Sequence, residues 1–191
     1  MSRDATQPPP TDRPARARER VPSRVLLHTG DGKGKTSAAM GIVMRATARG
    51  WHVCVVQFVK DGRWKTGEEA SARKLGVEWW SIGDGFTWDS SDMDRTEAIA
   101  REAWAAARDL IRAGAHELVV LDEITYPINW GWVDGREVTE TIRDRPQRVN
   151  IVATGRDAPE ALRAVADTVT EMASEKHAFD EGIGAMRGIE Y

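Results

Sequence analysis

The apolar segment Val25-Leu26-Leu27-His28-Thr29 breaks into Gly30-Asp31-Gly32-Lys33-Gly34 and ends in Lys35-Thr36-Ser37, where a helix is expected to begin. Glycines at alternate positions let successive backbone N–H groups converge on one anion, and the helix N-terminus adds the positive end of its dipole. Lys35 then serves as a mobile charge for the outer phosphates, and the Thr36 hydroxyl as a magnesium ligand. The candidate phosphate-binding residues are Gly30, Asp31, Gly32, Lys33, Gly34, Lys35, Thr36 and Ser37. A polar surface turn is the bland alternative, but it leaves the Gly-Lys-Thr ending without a purpose. The strict P-loop pattern places a glycine where Thr29 stands, so this loop is a compact variant.

Glu117-Leu118-Val119-Val120-Leu121 is an apolar strand that ends in two carboxylates, Asp122 and Glu123. This is a Walker B arrangement. A magnesium ion bridging triphosphate oxygens needs a hard anionic ligand, or a carboxylate acting through water, opposite Thr36. The sequence does not divide metal ligation and water activation between the two. Arg156, ending the run Thr154-Gly155-Arg156, is within reach of phosphates if that strand neighbours the loop; an ordinary surface ion pair is the alternative.

These residues must be positioned by alternating strands and helices. Strands are expected at 25–29, 53–58, 77–82, 117–121 and 149–154, with a last one near 169–172. Helices are expected at 35–49, near 68–75, from Ser91 to about Arg112, near 138–143 and at 158–165. Repeated βα units imply a doubly wound parallel sheet whose ligands bind at the carboxyl ends of its strands. A chain of 191 residues suits one such domain. Its net charge of −3 gives no sign of nucleic acid or an acidic membrane as partner. Residues 1–22, rich in Arg and Pro, cannot bury enough apolar surface to fold alone and read as a flexible arm before a domain at 23–191. The one cysteine, Cys54, lies in an apolar strand; it excludes an intrachain disulfide, reads as an inert buried thiol and fits a cytoplasmic location. His177 has no partner at metal-ligand spacing, so no zinc site is expected. No apolar stretch is long enough to span a membrane.

The remaining motifs are more particular. Gly83-Asp84-Gly85-Phe86-Thr87-Trp88 follows the third strand, and the chain closes on Lys176-His177-Ala178-Phe179-Asp180 and Gly188-Ile189-Glu190-Tyr191. With the glycine loop and Asp122-Glu123, these segments resemble the P-loop type of ATP:corrinoid adenosyltransferase (cob(I)alamin or cob(I)yrinic acid a,c-diamide as acceptor) from about Arg24 to Tyr191. The resemblance implies a three-layer α/β fold of P-loop NTPase, RecA-like type with a mostly parallel sheet. It implies transfer of the 5′-deoxyadenosyl group of ATP to cobalt(I) of a reduced corrinoid, with triphosphate leaving. Mg²⁺ or Mn²⁺ is the implied metal, with Thr36 and Glu123 as ligands and Asp122 as supporting partner. Lys35, Phe86 and Trp88 are the implied catalytic residues, the two aromatics covering the lower corrin face and excluding an axial ligand from cobalt. A cytoplasmic homodimer is also implied, as is a flavoprotein reductant. The departure from the family lies in the N-terminal arm, where Pro14 and Pro22 leave room for only a short covering helix. A P-loop ATPase or kinase, and an ATP-dependent corrinoid carrier without turnover, are the alternatives. Trp130-Gly131-Trp132, beyond the Walker B strand, reads equally as pocket lining or subunit contact.

Overall fold

The computed structural model describes residues 20–59, 66–81 and 93–189. Strands β1 (Val25–Thr29), β2 (Val53–Gln57), β3 (Glu78–Ser81), β4 (Leu118–Asp122), β5 (Asn150–Thr154) and β6 (Thr168–Glu171) form one sheet in the order β3-β2-β4-β5-β1-β6. Every pairing is parallel. The helices are α1 (Lys35–Thr47), α2 (Gly67–Lys74), α3 (Met93–Ala113), α4 (Thr125–Asn129), α5 (Gly135–Arg143) and α6 (Glu160–Val165), with a 3₁₀ turn at Ala178–Glu181. The expected α/β class and parallel sheet are therefore present. The short helix α4 is additional to expectation. The last strand begins at Thr168, one residue earlier than read from the sequence, and the Ser91 cap expected for α3 lies outside the described residues.

Strand alternation builds the three layers. Within β4, Val119 and Leu121 face one way and Leu118 and Val120 the other. The first face packs beneath Trp104, Ala107 and Ile111 of α3, Val138 and Ile142 of α5, and Leu162 of α6. The second packs beneath Ala39, Met40 and Val43 of α1 and Ala72 of α2. Burial on both sides explains why β2 and β4 read as continuous apolar runs rather than alternating ones. Each fully buried Leu or Ile contributes about 1.5–3 kcal/mol by leaving water. α3 and α5, side by side in one layer, are joined by Glu137, which accepts from Trp104 Nε1 at 2.9 Å and Arg108 at 2.8 Å. Those two donors, Arg108 foremost, hold the Glu137 carboxyl below its ordinary range. Among the described residues no helix is long and apolar enough to cross a membrane.

The chain leaving β6 runs against the glycine loop. Met172 N–H donates to Thr29 O at 2.8 Å, and Gly32 N–H donates to Met172 O at 2.7 Å. A Cβ on Gly30 or Gly32 would lie 2.5 Å from the backbone oxygen of Met172 or Ala173, closer than any carbon can approach. Gly50, by contrast, ends the turn after α1 at φ 73° with open space where its Cβ would be. Gly32→Ala is expected to lower the melting temperature more than Gly50→Ala, whose cost is confined to left-handed strain of about 1–2 kcal/mol. Equal or reversed shifts in a thermal melt would show that the β6 extension does not dock on the loop.

Candidate active site

β1, β2, β4 and β5 end level with one another, so their last side chains meet at one edge. Asp122 lies opposite Gln57 in the strand register, and Leu121 opposite Ala153. Asp122 is wholly buried. Its Oδ1 accepts from Thr36 Oγ1 at 2.9 Å and Thr154 Oγ1 at 2.7 Å, and its Oδ2 accepts from Gln57 Nε2 at 2.8 Å. A carboxylate in such a place demands donors, because an unsatisfied buried charge is costly. Gln57 escaped the sequence reading, and Thr154 entered it only as the start of the run that ends in Arg156. The available signal was that each is a polar residue ending an apolar strand, which has meaning only once the strand order is known.

Glu123 leaves the strand abruptly at φ 61°, a left-handed conformation that costs an L residue about 1–2 kcal/mol. Its N–H donates to Thr154 Oγ1 at 2.9 Å, so one hydroxyl both donates to Asp122 and receives from Glu123. The bend turns Glu123 toward the phosphate loop, where its charge acts on Lys35. Gly155 is the matching constraint on the neighbouring strand, for a Cβ there would fall 1.9 Å from the buried Thr125 hydroxyl. Tyr126 follows; burial first and Glu123 second push its hydroxyl above the ordinary tyrosine value. Its ring lies 5.3 Å from Trp130, which lies 4.6 Å from Trp132, so α4 carries an aromatic ladder away from the strand edge.

The loop itself differs in one respect from expectation. Gly32 N–H is engaged by Met172, so it is directed to the β6 extension rather than inward with its neighbours. Gly34 sits at φ 108° as the residue before α1 and makes no side-chain cap, leaving the N–H groups of Lys35, Thr36 and Ser37 at an uncapped helix start. Thr29 ends β1 with no exposed surface, and its hydroxyl accepts from Ala158 N–H at 3.3 Å. Lys35 folds back, its Nζ donating to Gly30 O at 2.7 Å and Gly32 O at 2.8 Å. Burial, its largest influence, lowers the ammonium below the usual lysine value despite the opposing charge of Glu123. Arg156 reaches the same mouth, 3.9 Å from Asp31.

Beside the loop lies a cleft of about 430 Å³. Asp31, Lys33 and Arg156 form its polar side, and His177, Phe179 and Ile183 of the C-terminal segment form the other. His177 Nδ1 accepts from Phe179 N–H at 3.0 Å, so the histidine caps the 3₁₀ turn and holds the phenylalanine ring 76% exposed. The structure thus gathers Gly30, Asp31, Gly32, Lys33, Gly34, Lys35, Thr36, Ser37, Asp122, Glu123 and Arg156 around one edge. Phe86 and Trp88 lie outside the described residues. The oxygen donors of Thr36, Asp122 and Glu123 are the hard set that Mg²⁺ prefers, and Asp122, already accepting from three side chains, is arranged to orient Thr36 more than to give up an oxygen.

A family model for "ATP:corrinoid adenosyltransferase BtuR/CobO/CobP" matches residues 22–191. A corrinoid adenosyltransferase of Escherichia coli (strain K12) is 37% identical over 189 residues, covering 94% of this chain and 96% of that protein. One from Pseudomonas aeruginosa is 43% identical over 169 residues, covering 87% and 83%. The corrinoid adenosyltransferase CobA of Salmonella typhimurium is 36% identical over 167 residues, covering 87% and 85%. With its parallel sheet, uncapped glycine-loop helix and Asp122-centred edge, the chain belongs to the ATP:corrinoid adenosyltransferase family.

Proposed function

We propose that this protein transfers the 5′-deoxyadenosyl group of ATP to the cobalt of a reduced corrinoid, in the making or salvage of the adenosylated cofactor, with cob(I)alamin or a cobyrinic acid diamide as acceptor. The observation that carries the reading is the cleft in which the basic Lys33 and Arg156 meet the exposed, apolar Phe179 and Ile183. A polyanion and a broad, largely apolar ring can share that space. A small phosphoryl acceptor has no use for the apolar wall.

In the reaction, cobalt(I) donates its electron pair to C5′ of the ribose, and the C5′–O bond breaks with its pair going to the departing triphosphate. The protein supplies no nucleophile. Its task is to align three atoms and to stabilise negative charge on the leaving oxygen. The uncapped N-terminus of α1 offers N–H groups to that charge. Lys35, partly desolvated and hydrogen-bonded to two neutral carbonyls, gains by turning to the triphosphate. Thr36 and Glu123 would hold Mg²⁺, Asp122 fixing the Thr36 hydroxyl, and the ion when bound neutralises triphosphate charge. β3 ends at Ser81, the register partner of Gln57, two strand spacings or about 10 Å from Asp122. We assign the Phe86 and Trp88 rings to the lower corrin face, where excluding an axial ligand eases reduction of cobalt(II). A homodimer and a flavoprotein electron donor complete the proposal.

Incubation with ATP, Mg²⁺ and chemically reduced cobalamin is expected to yield adenosylcobalamin and intact triphosphate; phosphate release independent of corrinoid would overturn the assignment, and binding of both without turnover would leave a carrier. Lys35→Ala is expected to lower kcat/KM about 10²-fold or more, the scale of removing one preorganised charge partner. Trp88→Ala is expected to slow reaction from cobalt(II) far more than from pre-reduced cobalt(I), and equal losses would reduce the aromatic loop to a structural part. ATP affinity should decline as pH rises through the lowered Lys35 value, beginning below the usual lysine range of 10.5, because the cation is lost there; a calorimetric profile flat to that pH would remove Lys35 from the triphosphate.

A further inference from the structure

A second cluster of chemically active side chains lies at the opposite, amino edge of the sheet. Cys54, the second residue of β2, is the register partner of Glu78, the first residue of β3. Parallel partners in register project from the same face, so thiol and carboxylate stand side by side. His116, in the turn between α3 and β4, closes over them, with its Nε2 2.9 Å from Glu78 Oε2. One sulfur, one imidazole nitrogen and one carboxylate oxygen all lie within 4.8 Å of one another. We propose that Cys54, Glu78 and His116 form a binding site for a divalent ion of the zinc class, separate from the triphosphate site.

The donor chemistry selects the ion. Thiolate and imidazole favour zinc, and magnesium prefers an all-oxygen set such as that around Thr36. Tetrahedral zinc with bonds of 2.0–2.3 Å spaces its ligands by about 3.5 Å, a separation that small rotations of these three side chains reach. A simple ion pair beside an inert thiol is the competing account, and it leaves a residue unexplained. A carboxylate partner calls for the Nε2–H tautomer, yet His116 Nδ1 is buried with no hydrogen-bond partner. That leaves an unpaired buried acceptor on the ring whose other nitrogen faces Glu78. Access is not closed: Cys54 is fully buried, but the Glu78 side chain is 47% exposed, leaving a path in and a fourth position for water. Burial and the Glu78 charge push the Cys54 thiol up to about 12, so no thiolate stands there without an ion. On binding, the S–H bond gives way to a sulfur–metal bond and the proton leaves to solvent; no electron is transferred. The ion would tie β3, an edge strand, to β2 and to the entry of β4.

Because Cys54 is the single cysteine of the chain, a thiolate signal can come from nowhere else. Cobalt(II) chloride added to the whole, corrinoid-free protein is expected to produce a near-ultraviolet thiolate-to-cobalt charge-transfer band, which zinc chloride then removes. Cys54→Ala should lack the band, and His116→Ala and Glu78→Gln, both at partly accessible positions, should each weaken cobalt(II) binding about tenfold or more. Zinc should raise the melting temperature of the unaltered protein and not that of Cys54→Ala. Absence of the band in the unaltered protein would overturn the site, as would a band whose midpoint neither His116→Ala nor Glu78→Gln changes.

Discussion

The buried carboxylate of Asp122 is the constraint on which the carboxyl edge of the sheet depends. A negative charge with no exposed surface at the centre of a parallel sheet can persist only where donors surround it, and Gln57, Thr154 and Thr36 each supply one. These donors come from β2, β5 and α1, so satisfying one charge aligns the ends of three strands with the start of a helix. The Thr36 hydroxyl is thereby fixed, and with it the beginning of the glycine-loop helix. Breaking such a network by removing one partner is more damaging than its net contribution to stability suggests, because the remaining charge is left in the core.

Local strain is placed around that anchor. Glu123 adopts a left-handed conformation directly after Asp122, and Gly155 provides the space that Thr125 requires on the adjacent strand. Both departures from regular backbone occur where a strand ends at the carboxyl edge of the sheet. The glycine loop carries a packing demand of its own. Gly30 and Gly32 admit the backbone of Met172 and Ala173, linking the loop to the chain that continues into the Phe179 wall of the cleft. The two halves of the cleft are therefore positioned by one contact.

The sheet separates two kinds of chemistry by its polarity. Its carboxyl edge gathers hydroxyls, carboxylates, Lys35 and Arg156, a hard set matched to phosphate and magnesium. Its amino edge gathers sulfur, imidazole and one carboxylate, a softer set. About three residues of β2 separate Cys54 from Gln57, roughly 10 Å along the strand, which keeps the two donor sets apart.

Much of the architecture was legible in the sequence because it rests on local rules. Continuous apolar runs such as Val53–Gln57 announced buried strands, and the spacing from Gly30 to Thr36 announced the glycine-rich loop. The Asp122-Glu123 pair was legible for the same reason, as charge ending an apolar strand. The partners of Asp122 were not, since Gln57 and Thr154 lie 65 and 32 residues away and meet it only through the strand order β2-β4-β5. Nor was the second task of Gly32, which donates to Met172, 140 positions further along the chain, a pairing that no local pattern encodes. Cys54, Glu78 and His116 show the same limit: spacing in the sequence gave no metal signature, and only parallel register and a folded-back turn bring sulfur, oxygen and nitrogen together. The sequence by itself determined most of the elements and the glycine-rich loop, because periodicity and turn residues act over a few positions. Tertiary structure decided which side chains share a charge, because strand order, the result of packing the whole core, has no local code.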